Sequence, residues 1–181
     1  MILYNLTENK SRLIRLLVML LLFVTGVLIN FGCSTYSFTG ASVPSHLKTI
    51  AIPVAEDKSP AAIPGLRESL TDALIQKFIN DNSLQVTDRS KADAVLECVI
   101  TSVTDAPSIV SAGEQITSRR ITINVNVIYK DLVKRKTIFE DNFTNYGDYV
   151  PGGATNERDN AITNAVDKIS EDILLAVVSG W

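Results

Sequence analysis

The sequence predicts an α+β domain, a two-layer sandwich in which two helices pack on one face of a mixed sheet of about four strands. Three observations predict it. Apolar residues recur with a period of two or near 3.6 in the order strand, helix, strand, strand, strand, helix. One strand alternates without a break, Ile121, Ile123, Val125, Val127 and Tyr129 against Thr122, Asn124 and Asn126. Both helical stretches carry one apolar stripe, so each has one side to bury and one to leave in water.

Leu47 to Val54 forms the first strand, with Ile50, Ile52 and Val54 on one face and Pro53 marking its end or an unpaired edge position. Pro64 and Gly65 open a helix that runs to about Asn80 and buries Leu66, Leu70, Ala73, Leu74 and Phe78. A short strand, Leu84 to Thr87, and a polar turn over Asp88 to Lys91 follow. In the strand Ala94 to Val103, Leu96, Cys98 and Ile100 face the helices. Glu97 and Thr101, with Val95, Val99 and Val103, face outward. Asp105 to Gly113 reads as a long hairpin loop before the strand of Ile121 to Tyr129. A turn over Asp131 to Arg135 leads to Thr137 to Asn145, with Phe139 and Phe143 inward, and Tyr146 to Asn156 is a second loop around Pro151-Gly152-Gly153. The last helix, Glu157 to Val178, shows Ile162, Ala165, Val166, Ile169, Ile173, Ala176 and Val177 on one stripe. Gly180 then suits the left-handed position after the helix, with Trp181 folding back.

Ahead of this domain, Leu13 to Cys33 begins among Lys10, Arg12 and Arg15, is apolar through its middle, contains no acidic residue and places Gly32 before Cys33. Those are the parts of a secretory signal peptide, and a cysteine at the cut resembles the lipobox of bacterial lipoprotein precursors. Asn30 stands where that pattern usually has Leu. Leu13 to Ile29 also comes near the span of a membrane anchor, which is the alternative. The organisation expected is a lipoprotein-type signal peptide over 1–32, a lipidated linker over 33–46 and one domain over 47–181. Several acyl chains on Cys33 would anchor the protein stably where one would not. Ser34 follows the cysteine where sorting-avoidance signals carry Asp, which by resemblance sends the protein to the periplasmic face of the outer membrane.

Removing residues 1–32 takes Lys10, Arg12, Arg15 and Glu8 from the chain's 17 basic and 20 acidic residues. That leaves 14 against 19, a formal charge near −5. An acidic domain without a basic stripe is a poor nucleic-acid partner. With Cys33 lipidated, Cys98 has no disulfide partner and, in an apolar strand, reads as a small buried hydrophobe. His46 is the one histidine, so a metal or triad site has little to be built from, and no cofactor beyond the covalent lipid is expected. Glu140 and Asp141 are adjacent in a strand, point to opposite faces and cannot act together on one substrate. No phosphate loop or nucleophile elbow appears, and the chain reads as a non-enzyme.

Cys33-Ser34-Thr35-Tyr36-Ser37-Phe38-Thr39-Gly40, the strand Lys48 to Pro53, Pro64-Gly65-Leu66 with Leu70-Thr71-Asp72-Ala73-Leu74, Ala92 to Glu97 and the closing Gly180-Trp181 together resemble the LptE family of lipopolysaccharide assembly. The resemblance spans nearly the whole mature chain, mostly through fold residues. It implies a lipoprotein that sits in the lumen of the outer-membrane β-barrel LptD, plugs it, helps it assemble and contacts lipopolysaccharide. Guanidinium and ammonium groups suit lipid phosphates. The candidates for that contact are Lys134, Arg135 and Lys136 at the hairpin turn, with Arg119 and Arg120 at the start of the long alternating strand; the bland alternative is a solvated basic turn. The strand Ile50 to Val54 and the segment Thr87 to Glu97 also resemble penicillin-binding-protein-activator and curli-secretion lipoproteins, which would make the chain a periplasmic adaptor or regulator. Tyr36, Phe38 and Gly180-Trp181 side with LptE.

Overall fold

The computed structural model describes residues 43–111, 115–154 and 156–179. The signal peptide, Cys33, Tyr36, Phe38 and the closing Gly180-Trp181 lie outside them. The elements are β1 (Thr49–Ala51), β2 (Glu56–Asp57), α1 (Leu66–Asp81), β3 (Gln85–Val86), β4 (Ala94–Ser111), β5 (Gln115–Asp131), β6 (Lys136–Tyr149) and α2 (Glu157–Val178). Among the described residues the class is α+β with two helices as expected, but the sheet has six strands where about four were expected. The order is β3-β1-β4-β5-β6, with β2 also on β4. β1 lies parallel to β3 and β4, β2 is parallel to β4, and β4, β5 and β6 form an antiparallel meander.

One of the two additional strands is the short β3, and the other comes from Pro53. The expected strand Leu47 to Val54 is interrupted there, because proline has no N–H for the ladder. Ala51 pairs with Val95, whereas Glu56 pairs with Val99. Five residues on one side therefore oppose four on the other, a bulge. It turns Val54 outward to 60% exposure instead of leaving it beside Ile50 and Ile52. The Ala55 N–H, which has no ladder partner, donates to the Thr71 hydroxyl of α1 (2.9 Å). That hydroxyl in turn donates to the Arg67 carbonyl (2.7 Å). One buried threonine thus joins the broken strand to the helix.

A second bulge changes which side chains reach the core. Ile100 pairs with Val125 and Ser102 with Asn124, so Thr101 is the extra residue and the alternation of β4 shifts by one. Val103 consequently pairs with Ile123 and packs against the core, where strict alternation places it outward. Val99 stays on the outer face, and Val95 is buried yet outside the main core cluster.

The expected loop at Asp105 to Gly113 is strand as far as Ser111, whereas the expected loop at Tyr146 to Asn156 is strand only to Tyr149 and turns around Pro151-Gly152-Gly153 beyond it. Pro107 lies at a register shift against β5, where a missing N–H does least harm, and residues 104 to 108 are exposed. Composition suggested a loop there because residues 104 to 108 stay exposed.

The core is one cluster. Leu66, Leu70, Leu74 and Phe78 of α1 and Ala165, Ile169, Ile173 and Val177 of α2 meet Leu96, Cys98, Ile100, Ile121, Ile123, Val125, Val127 and Tyr129 of the sheet. Phe139 packs its ring 5.6 Å from Tyr129 and 6.5 Å from Phe143, extending the cluster along β6. Between the helices, Lys77 bridges Asp167 (3.0 Å) and Glu171 (2.9 Å), and those two carboxylates raise its pKa. Helix α1 starts one residue after Pro64-Gly65, with Gly65 as a left-handed N-cap at φ 76°. Helix α2 closes at Ser179, whose N–H donates to the Leu175 carbonyl.

α2 sits so close to β6 that Gly147 has no room for a side chain: a Cβ there would lie 2.0 Å from the Ala161 carbonyl oxygen. Gly147→Ala is expected to cost about 2–3 kcal/mol, the scale of overpacking a rigid contact. The urea midpoint measures this, and an unchanged midpoint would mean that α2 does not rest on β6 this closely.

Candidate functional site

The chain enters the domain at the end of the sheet where β1 and β4 start and β5 finishes. His46, 28% exposed, donates its Nε2–H to Asp131 Oδ2 (2.7 Å), and Asp131, 3% exposed, is the last residue of β5. Asp131 Oδ1 accepts the Lys134 backbone N–H (2.7 Å), so one carboxylate holds both the incoming chain and the β5–β6 turn. Beside it Asp93 Oδ2 accepts the Lys48 N–H (2.9 Å), the Thr49 N–H (3.0 Å) and the Thr49 hydroxyl (2.9 Å). The Leu132 N–H donates to the Asp93 carbonyl (2.8 Å). Burial pushes the Asp131 carboxyl up, but the Lys134 N–H and the His46 ring outweigh it and hold the pKa below the usual value. For Asp93 the Lys48 N–H is the leading cause of a lowered pKa, then the Thr49 hydroxyl.

This frame carries Lys134, Arg135 and Lys136, all exposed, with Arg135 at φ 53° in the turn. Among the described residues none of the three has an acidic partner.

Arg119 and Arg120 are elsewhere. They lie within β5, which begins at Gln115, and pair across to Tyr149 and Asp148 near the far end of β6. Some twelve strand residues, about 40 Å at 3.4 Å each, separate them from Asp131. Both are paired. Arg119 Nε donates to Asp105 Oδ1 (2.8 Å), a carboxylate that also takes Tyr149 Oη–H (2.9 Å) and Arg158 (3.4 Å). Arg120 makes a fork with Asp148 (2.7 and 2.9 Å) and lies 3.6 Å over the Tyr146 ring. The structure therefore does not join the sequence-predicted cations into one site. It leaves the turn free and ties up the two arginines as a brace at the base of the projecting β4–β5 ribbon. Asp105 and Asp148, on neighbouring strands, were the acidic partners that the one-dimensional reading missed.

The middle of the outer sheet face is an amide and hydroxyl surface. Asn124 donates to the Ser102 hydroxyl (2.6 Å) and accepts from the Thr144 hydroxyl, and Asn126 donates to Asn142 (3.3 Å). Glu97, with its pKa lowered chiefly by Lys130 (2.5 Å), is also met by Arg89 (3.0 Å). At the broken strand a cleft of about 310 Å³, lined by Pro53, Val54, Glu97, Cys98 and Val99 among others, opens on this face. It holds nothing reactive: burial pushes the Cys98 thiol up to about 12, so it is protonated at neutral pH. Among the described residues no group of three or more His, Cys, Asp or Glu side chains could hold a metal ion.

Comparison with known proteins decides the family. The model of the family described as "LptE: Lipopolysaccharide-assembly" matches residues 47–177, from the first buried leucine to the end of α2. The chain belongs to the LptE family. Among curated proteins none matches. Of solved structures, a hypothetical protein of Chlamydia trachomatis is similar at 10% identity and a TM-score of 0.54, over 72% of this chain and 98% of that one. A Xanthomonas campestris protein of the DUF330 family model is similar at 13% identity and a TM-score of 0.50, over 72% and 85%. The rare lipoprotein B of Shewanella oneidensis reaches 12% identity and a TM-score of 0.49, over 70% and 91%. At such identities the first two likenesses speak for the fold alone.

In this LptE-family chain Asp93→Ala strips an acceptor from two backbone N–H groups and a hydroxyl. It is expected to lower stability by about 1–3 kcal/mol at pH 7. The wild-type carboxyl has a folded pKa below its unfolded one, so its contribution is present above about pH 4 and is lost as pH falls through the lower value. Urea midpoints of the two proteins should therefore converge on acidification; a gap constant from pH 7 to pH 3 would contradict the assigned role.

Proposed function

We propose that the chain is a non-enzymatic lipoprotein held at the periplasmic face of the outer membrane by acyl chains on Cys33. Its partner is an LptD-like β-barrel, whose lumen it plugs and whose assembly it assists in lipopolysaccharide transport to the outer leaflet. Membership of a lipopolysaccharide-assembly family supports the setting. The single structural observation that carries the reading is the outer sheet face. Ser102, Asn124, Thr144, Asn126 and Asn142 present neutral donors and acceptors across the middle of this face, flanked by Val99, Ile128 and the Glu97–Lys130 pair. Such a face suits the polar interior of a wide barrel, which also alternates polar residues inward. Contact with lipopolysaccharide phosphates we assign to Lys134, Arg135 and Lys136, because Arg119 and Arg120 already spend their charge on Asp105 and Asp148.

A pull-down from detergent-solubilised membranes tests this. The wild-type chain is expected to bring down one large β-barrel protein, and Asn124→Lys combined with Thr144→Lys is expected to cut that yield at least tenfold without unfolding the domain. Recovery of a peptidoglycan synthase or a secretion ring in place of a barrel would favour the adaptor reading. Lys134→Ser, Arg135→Ser and Lys136→Ser together should keep the barrel and lose retained lipopolysaccharide.

A further inference from the structure

Fourteen basic residues follow Cys33. Eight have a carboxylate within 4 Å: Lys58, Arg67, Lys77, Arg89, Arg119, Arg120, Lys130 and Arg158. Lys168 donates to the Tyr146 carbonyl (3.0 Å). The five that have no acidic partner among the described residues are Lys48, Lys91, Lys134, Arg135 and Lys136, all exposed. They come from three separate stretches of sequence and collect at one end of the sheet. Lys48 precedes β1, the Lys91 carbonyl accepts from the Thr49 hydroxyl (3.3 Å), and the other three form the β5–β6 turn. Of the carboxylates in these loops, Asp93 and Asp131 are engaged by backbone N–H groups, Thr49 and His46, which leaves Asp88, with Asp81 at the neighbouring end of α1 before β3, as the exposed opposing charges.

The same end receives the chain, through the His46–Asp131 contact. Thirteen residues from Cys33 to His46 reach at most about 45 Å when fully extended. The opposite end, at Arg119, lies about 40 Å farther along β5. A tether fixes distance and leaves orientation open; a cationic end on an acidic body fixes orientation at an anionic surface. We propose that, before the chain enters a barrel, Lys48, Lys91, Lys134, Arg135 and Lys136 form a membrane-facing plate, which rests on the anionic phospholipid headgroups of the leaflet that holds the acyl anchor; entry into the barrel then frees Lys134, Arg135 and Lys136 for lipopolysaccharide. This rests on the lipid-anchored reading of Cys33. Each cation close to such a surface contributes about fivefold, so the three turn residues alone favour this orientation on the order of a hundredfold. Salt weakens the preference, since the charges are exposed.

The test uses the full acylated chain in vesicles of phosphatidylcholine, with and without phosphatidylglycerol. A fluorophore on Val133→Cys, at the turn, is compared with one on Thr104→Cys, at the far end, against headgroup spin-labelled lipid. Expected is quenching of the Val133 label that rises several-fold with phosphatidylglycerol and falls with added salt, while the Thr104 label stays unquenched. Lys134→Glu, Arg135→Glu and Lys136→Glu together should abolish the rise. Equal quenching of both labels, no dependence on phosphatidylglycerol, or a rise only when lipopolysaccharide replaces phosphatidylglycerol would overturn the proposal. Mass spectrometry of the amino-terminal peptide separates the two readings. An unmodified Cys33 removes the anchor, whereas an acylated chain with charge-independent quenching removes the plate alone.

Discussion

The Asp131 carboxylate is the point through which the functional end of the molecule is built. It is buried, terminates strand β5, and uses one oxygen for the His46 ring and the other for the Lys134 amide of the hairpin turn. A buried carboxylate is tolerated only when its lone pairs are met, and here they are met by groups from two distant parts of the chain. The consequence is geometric. The incoming chain and the basic turn cannot be at different ends of the domain while that pair is intact, and Asp93 repeats the device one strand over by gathering the Lys48 and Thr49 donors.

Charge is then sorted by position. Along the body, cations are neutralised in pairs and networks: Lys77 between two helix carboxylates, Glu97 between Arg89 and Lys130, Asp105 among Arg119, Tyr149 and Arg158. Exposed pairs of this kind add little to stability, typically under about 1 kcal/mol each. Their effect here is to leave the middle of the outer sheet face to neutral amides and hydroxyls and, among the described residues, to leave the cations without an acidic partner at the tether end. Stability itself comes from the single apolar cluster between the inner sheet face and the two helices. Cys98 inside that cluster is a thiol that burial keeps protonated at neutral pH.

Most of the fold was legible because it is written in period. The strict alternation from Ile121 to Tyr129 and the stripes of Leu66 to Phe78 and Ile162 to Val177 each report which side is buried, and the structure buries those sides. What was not legible depends on partners in space. Pro53 breaks a strand into two because of what β4 offers opposite it, and the extra Thr101 turns Val103 inward, which no window of sequence shows. The stretch from Asp105 to Ser111 looked like a loop because residues 104 to 108 are exposed, although β4 pairs with β5 as far as Ser111. Arg119 and Arg120 looked like free cations since Asp105 and Asp148 lie 14 and 28 residues away. Conversely, Lys48 and Lys91 gave no signal at all until the topology set them beside Lys134.

The joint between the incoming chain and the hairpin turn is most directly tested by hydrogen exchange of the backbone amides of Leu132 and Lys134 in the intact chain. With Asp131 and Asp93 holding the turn, both amides should exchange slowly, and Asp131→Ala should speed the Lys134 amide by at least tenfold while the amide of Val125 in mid-strand stays slow. A Lys134 amide that exchanges as fast as a free turn in the unmodified protein would contradict the joint, and with it the placement of the basic end beside the tether.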